Sequence, residues 1–158
     1  MTITETNPDV DRALWLDGAD FADAFCVTIG GNAVDARAAA TSMLGRSPRW
    51  MKTLVSLRNL LVAPFGLKSS GAKDAGPRGM IGIFPVISET PERLVAGFND
   101  HHLDFRVVID VAVAGDVQRV TATTLVRTHN RLGRVYLAII MPFHRLVVKA
   151  MLRQVATD

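Results

Sequence analysis

The segment from Arg131 to Val155, RLGRVYLAIIMPFHRLVVKAMLRQV, restricts the fold more than any other part of the chain. Leu132, Val135, Tyr136, Ile139, Ile140, Phe143, Leu146, Val147, Ala150 and Met151 recur at steps of three and four, which predicts one broad apolar stripe along a helix. Arg131, Arg134, Arg145, Lys149 and Arg153 keep mostly to other faces. At about 1.5 Å per residue the helix runs on the order of 35 Å. It needs a large apolar surface to lie on, and only the strands before it can supply one.

The same segment is the one place where a membrane comes into question. Its unbroken apolar run, Val135 to Phe143, is about half of the roughly 20 residues that span a bilayer. Pro142 lies inside it, and His144, Arg145 and Lys149 follow, so no transmembrane segment is expected. An interfacial amphipathic helix shows this stripe and basic flank. So does an ordinary core helix, which is the expected role.

The surface for that helix is legible upstream. Leu103, Phe105, Val107, Ile109, Val111 and Val113 alternate with His102, Asp104, Arg106 and Asp110, which predicts a strand over His102–Val113 with one apolar face. Gly115-Asp116 supplies a hairpin connection. Val117–Thr128 answers as the next strand, with Val120, Ala122, Thr124, Val126 and Thr128 on one face. Met80–Ile87 and Arg93–Phe98 are two earlier strands, separated by the turn SETPE. Ala19–Thr28 is the first strand, with Phe21, Phe25 and Val27 on one parity. Two short helices follow it. One runs over Ala33–Leu44, with Asn32 as its expected cap and Gly45 beyond its end. The other starts at Ser47-Pro48 and carries Trp50, Leu54, Leu57 and Leu61. Lys68–Gly79, rich in glycine, reads as a loop. Strands joined by short turns pair antiparallel, and a one-sided apolar sheet needs a cover. The expected fold is therefore α+β, a curved antiparallel sheet packed around the long C-terminal helix. Residues 1–17 are expected as a flexible arm, and 18–158 as one domain.

Composition sets the remaining bounds. The 158 residues are 49% apolar and 21% charged, which excludes an intrinsically disordered class. Cys26 is the only cysteine, so an internal disulfide is excluded and a reducing, cytoplasmic location is expected. The start, MTITETNPDVDRAL, is acidic where a secretion signal is basic. A net charge of +3, spread along the chain, gives no nucleic-acid signature.

Four stretches carry a family resemblance: GADFADAF (18–25), PRWMKTLVSLRNLLVAPFGL (48–67), NDHHLDFRVVI (99–109) and HNRLGRVYLAIIMPFHRLVVKAML (129–152). Together they resemble a bacterial family of domains of unknown function within the START-like, polyketide-cyclase-like helix-grip superfamily. The resemblance covers nearly the whole domain. It implies a hydrophobic-ligand pocket between sheet and terminal helix. Relatives appended to nucleotide-binding, dehydrogenase-like domains imply partner enzymes. It carries over no catalytic residues.

Candidate polar groups are few. His102, Asp104 and Arg106 alternate along a strand, so they project from one face. There they either orient a ligand and exchange protons with it, or form surface cross-strand pairs contributing about 0.2–1 kcal/mol each. His144 lies at the margin of the apolar stripe, either as a proton donor in a pocket or bonded to a carbonyl freed by Pro142. Tyr136 sits mid-stripe, and its buried hydroxyl needs a partner. No HxH, HExxH or paired-cysteine spacing supports a metal, and no GxGxxG or P-loop supports a nucleotide, so no cofactor is expected.

The expected function is a non-enzymatic binding module for a hydrophobic or amphipathic small molecule or lipid. Its pocket walls are Phe84, Phe98, Phe105, Val107, Thr124, Val126, Tyr136, Ile139 and Phe143, with His102, Asp104 and His144 as polar or acid–base groups. One alternative is a cyclase, isomerase or hydratase acting on a hydrophobic carbonyl compound. It requires at least two of His102, Asp104, Tyr136 and His144 to meet at one cavity. Another is an accessory protein, a homodimer or the partner of a dehydrogenase-like enzyme.

Overall fold

The computed structural model describes residues 2–46, 49, 78–82 and 84–157. Seven strands form one curved antiparallel sheet: β1 (Ile3–Thr6), β2 (Phe21–Gly30), β3 (Met80–Ile81), β4 (Phe84–Glu89), β5 (Arg93–Asn99), β6 (Leu103–Ala114) and β7 (Val117–Thr128). Their order across the sheet is β1-β2-β7-β6-β5-β4-β3. Helix α1 (Arg12–Trp15) precedes β2, α2 (Ala36–Ala40) follows it, and α3 (Arg131–Thr157) ends the chain.

The β6–β7 hairpin is the frame. Gly115 takes φ +65° at its turn, a conformation that L side chains rarely adopt. Register sets Val107 beside Thr124, Ile109 beside Ala122 and Val111 beside Val120. Because side chains alternate across a strand, these pairs share the face that β2 extends with Phe25 and Val27 and β5 with Leu94 and Ala96. A bulge between Val86 and Ser88 disturbs the β4 register.

One core fills the helix-facing side, where α3 contributes Val148, Leu152 and Val155. The buried line on α3 differs from the expected stripe. Val135, Ile139, Phe143 and Leu146 instead lie outside, each more than half exposed. The C-terminal half of α3 is apolar on several sides, so periodicity cannot choose which side packs. Contact with β2 and with the turn after α2 decides it.

The opposite sheet face is also covered. Ala24, Val95, Val108, Thr123 and Leu125 project from it and are fully buried or nearly so. The chain before β2 is tied there: Arg127 Nη1 donates to the Asp17 carbonyl, Asp20 N to the Val126 carbonyl, and Leu16 is buried. The segment expected as a flexible arm thus supplies an edge strand, β1, and a short capped helix.

Local differences have local causes. The first helix starts at Ala36, because Asp35 rather than Asn32 caps it, accepting from Ala38 N at 2.7 Å. It widens into a π turn at Thr41–Gly45. The strand expected over Met80–Ile87 is broken into β3 and β4, with Gly82 at φ +58° between them. The expected helix from Ser47-Pro48 and the loop from Lys68 lie outside the described residues, apart from Arg49, Arg78 and Gly79.

Candidate functional site

The helix-facing ends of β4, β5 and β6 present three phenylalanines. Phe98 and Phe105 are direct cross-strand partners with ring centroids 5.6 Å apart. Phe84 closes the triangle, 6.0 Å from Phe98 and 5.2 Å from Phe105. Such ring pairs contribute about 0.5–1.5 kcal/mol beyond the area they bury. All three are only partly buried, so the cluster has an apolar face left over. Val107, Thr124 and Val126 continue the same side and are buried.

The other expected wall residues do not join this cluster as a wall. Tyr136 is half-buried on α3, whereas Ile139 and Phe143 are 59% and 53% exposed and turn away from the sheet. Two of the open depressions among the described residues lie near these side chains or the sheet edge. One, of about 510 Å³, is bordered by Glu5, Thr6, Asn7, Pro8, Ala22 and Asp23. The other, of about 400 Å³, lies beside Val86, Gly97, Phe98 and Arg106. Neither is bordered by a residue of α3, so neither is the pocket between sheet and helix that the sequence led us to expect.

The polar candidates separate into three places. His144 Nε2 lies 3.2 Å from Asp23 Oδ1 and 3.1 Å from Oδ2, joining the middle of α3 to β2 on the helix-facing side. Phe21 meets the imidazole edge to face at 6.2 Å. Asp104 points to the opposite sheet face, where its Oδ2 is 3.0 Å from His129 Nε2. His102 sits at the β5–β6 turn. There the Asn130 amide nitrogen donates to its Nδ1 at 2.8 Å, while Asn130 Oδ1 caps α3 by accepting from Gly133 N at 2.9 Å. Since an amide nitrogen can only donate, this arrangement leaves the His102 proton on Nε2.

Arg106 is also accounted for structurally. Its Nη1 donates to the Phe98 and Phe105 carbonyls at 3.1 and 2.8 Å. Burial pushes its pKa down, and Asp104 partly offsets that. Arg93 and Asp110 form the cross-strand ion pair on this face, with Arg93 held up mainly by its hydrogen bond to Asp110. His144 therefore bonds a strand carboxylate rather than a carbonyl freed by Pro142.

Asp23 and His129 are the residues that sequence reasoning missed as partners. The signal for Asp23 was present: it shares parity with Phe21, Phe25 and Val27, and a carboxylate on an apolar face demands a partner. Among the described residues no group of three metal-binding side chains occurs.

The fold and these contacts define a class: an α+β domain whose seven-stranded antiparallel sheet packs a long terminal helix on one face. The chain belongs to the family described as "Protein of unknown function (DUF2867)", which matches residues 15–151. Comparison with curated proteins gave no match. Among solved structures, the chain aligns with a protein from Arthrobacter aurescens determined by solution NMR. The TM-score is 0.39 and the identity 11%, over 95% of this chain and 91% of that one.

Proposed function

We propose that the chain is a START-like, helix-grip binding module, cytoplasmic and without catalytic activity, for a hydrophobic or amphipathic small molecule. The observation that carries this reading is the Phe84, Phe98 and Phe105 cluster: three rings in mutual contact, on the concave side of the sheet, only partly buried. Among the described residues, helix α3 packs mainly on β2 and on the π turn after α2, and less on β7 and β1, beside this cluster rather than over it. An acyl chain or flat ring laid on the phenylalanines would remove apolar surface from water at both partners. Val107 and Val126 form the floor.

The enzyme alternative needed two of His102, Asp104, Tyr136 and His144 at one cavity. His102 engages Asn130, Asp104 engages His129 across the sheet, and His144 engages Asp23, so these three supply no shared centre.

The test is titration of the full chain with dodecanoate, followed by NMR of the aromatic and methyl groups, with native mass spectrometry of the purified protein. Saturable shifts centred on Phe84, Phe98 and Phe105 are expected, and Phe105→Ala should weaken binding by about tenfold or more, on the order of 1.4 kcal/mol. The absence of saturable binding, or affinity unchanged by Phe105→Ala, would overturn the reading.

A further inference from the structure

The outward side of α3 carries an apolar line that the described residues leave exposed. Val135, Ile139, Phe143 and Leu146 are 55%, 59%, 53% and 65% exposed. Steps of four, four and three place them on one side of the helix, away from the buried Val148, Leu152 and Val155. Four large side chains in a row on a surface are a continuous apolar strip, not the scattered singletons that any surface shows.

Along α3 itself the charge beside that strip is of one sign. Between Arg131 and Thr157 there are five basic residues, Arg131, Arg134, Arg145, Lys149 and Arg153, and no aspartate or glutamate. At 100° per residue, Arg131, Arg134, Arg145 and Lys149 flank one edge of the apolar line, and Arg153 continues it. Some of this charge is met from other elements. Arg145 Nη2 is 3.6 Å from Glu5 Oε1, Arg134 interacts with Asp20, and Lys149 Nζ lies 5.6 Å from the centre of the Phe25 ring.

We propose that this face docks on an anionic lipid surface, with α3 lying in the plane of the membrane interface. The apolar line enters the acyl boundary, and the long basic side chains reach back to the phosphates. Two other arrangements fit less well. An antiparallel two-fold contact between copies through this face would set one arginine edge near its own image, bringing like charges together. By length and composition α3 is also long and apolar enough to cross a bilayer. Crossing, however, would withdraw Val148, Leu152 and Val155 from the core they share with the sheet. The docking face is the far side of α3 from the sheet, so this inference and the aromatic binding site can fail independently.

The experiment uses the full chain with phosphatidylcholine vesicles, with and without phosphatidylglycerol, in a sedimentation assay, alongside analytical ultracentrifugation without lipid. Binding to the anionic vesicles should be at least about tenfold stronger than to the neutral ones, and should weaken as salt is raised. The double variant Ile139→Ser, Phe143→Ser should reduce it by about tenfold or more, with thermal unfolding unchanged, because both side chains are exposed. Arg131→Gln with Arg153→Gln should lower binding and flatten its salt dependence. Equal binding to both kinds of vesicle, or no binding to either, would overturn the proposal. So would a dimer in the absence of lipid that the serine variants dissociate, since the face would then belong to a second copy.

Discussion

At Gly133 the first turn of α3 passes so close to the β5–β6 turn that a Cβ would stand 2.1 Å from the His102 carbonyl oxygen. Gly82 is confined in the same way: a Cβ there would stand 2.4 Å from the Leu44 carbonyl, at φ +58°. In an exposed helix, glycine to alanine stabilises by about 0.5–1 kcal/mol. We expect Gly133→Ala to do the reverse and cost about 1–3 kcal/mol through overpacking, measured by urea unfolding. The sign decides whether the contact is as tight as described. Asp20 gives a pH-dependent prediction. Its carboxylate accepts from Thr128 Oγ1 and N at 2.6 and 2.7 Å, and mainly these bonds hold its pKa below the usual value, with Arg134 and Arg127 assisting. A depressed pKa adds stability above the unfolded-state value, and the contribution disappears as pH falls through the folded one. Wild type should therefore melt above Asp20→Asn at neutral pH, and the gap should close as the solution is acidified below about pH 4. Neither glycine's role is visible in sequence, because each depends on a backbone brought near from elsewhere in the chain. Asp35, by contrast, sat in plain view as a cap three residues past Asn32, and the two were distinguishable only by where the helix begins.

Among the elements, α3 was the most legible and also the most misleading. Its length and its cap at Asn130 follow from local rules, since a side-chain acceptor before a long periodic run marks an N-terminus. Asn130→Ala should cost about 0.5–2 kcal/mol, read from thermal or urea unfolding. Its orientation about its own axis was not legible, because a helix with apolar residues on several sides offers more than one seam. Leu152, fully buried in the chosen seam, should cost about 2–5 kcal/mol when replaced by alanine, whereas Leu146→Ala should stay within about 0.5 kcal/mol. The His144–Asp23 contact fixes the same orientation from the polar side. Both side chains are at most 15% exposed. Removing His144 leaves the Asp23 carboxylate, 6% exposed, without this partner, and an unpaired buried charge costs more than the loss of one hydrogen bond. His144→Ala should therefore destabilise more than Asp23→Ala at neutral pH, by up to about 3–5 kcal/mol. The double variant should fall well short of the sum, as a double-mutant cycle would show. The strands were easier than the helix: β6 and β7 alternate cleanly, so period and face were fixed together.

For the whole molecule, the largest departure from expectation is the role of the first seventeen residues. Their composition carries little apolar periodicity, yet β1 edges the sheet and Leu16 is buried. They were illegible because the face they are tied to looks polar in β6, where Asp104, Arg106 and Asp110 alternate with the apolar side. Among the described residues, Val108 on β6, Val95 on β5, Leu125 on β7 and Ala24 on β2 give that second interior away. A chain lacking residues 2–17 should unfold at lower denaturant and bind a hydrophobic dye in its folded baseline.

Strand β2 lies between β1 and β7, with Phe21 next to Val126. The ribosome therefore delivers one half of this ladder long before the other. Until the final hairpin has emerged, the early strand has only the short β1 beside it and keeps a bare edge open to other chains. Assembly of the sheet has to wait for that hairpin, which predicts slow folding and a vulnerable interval on the way.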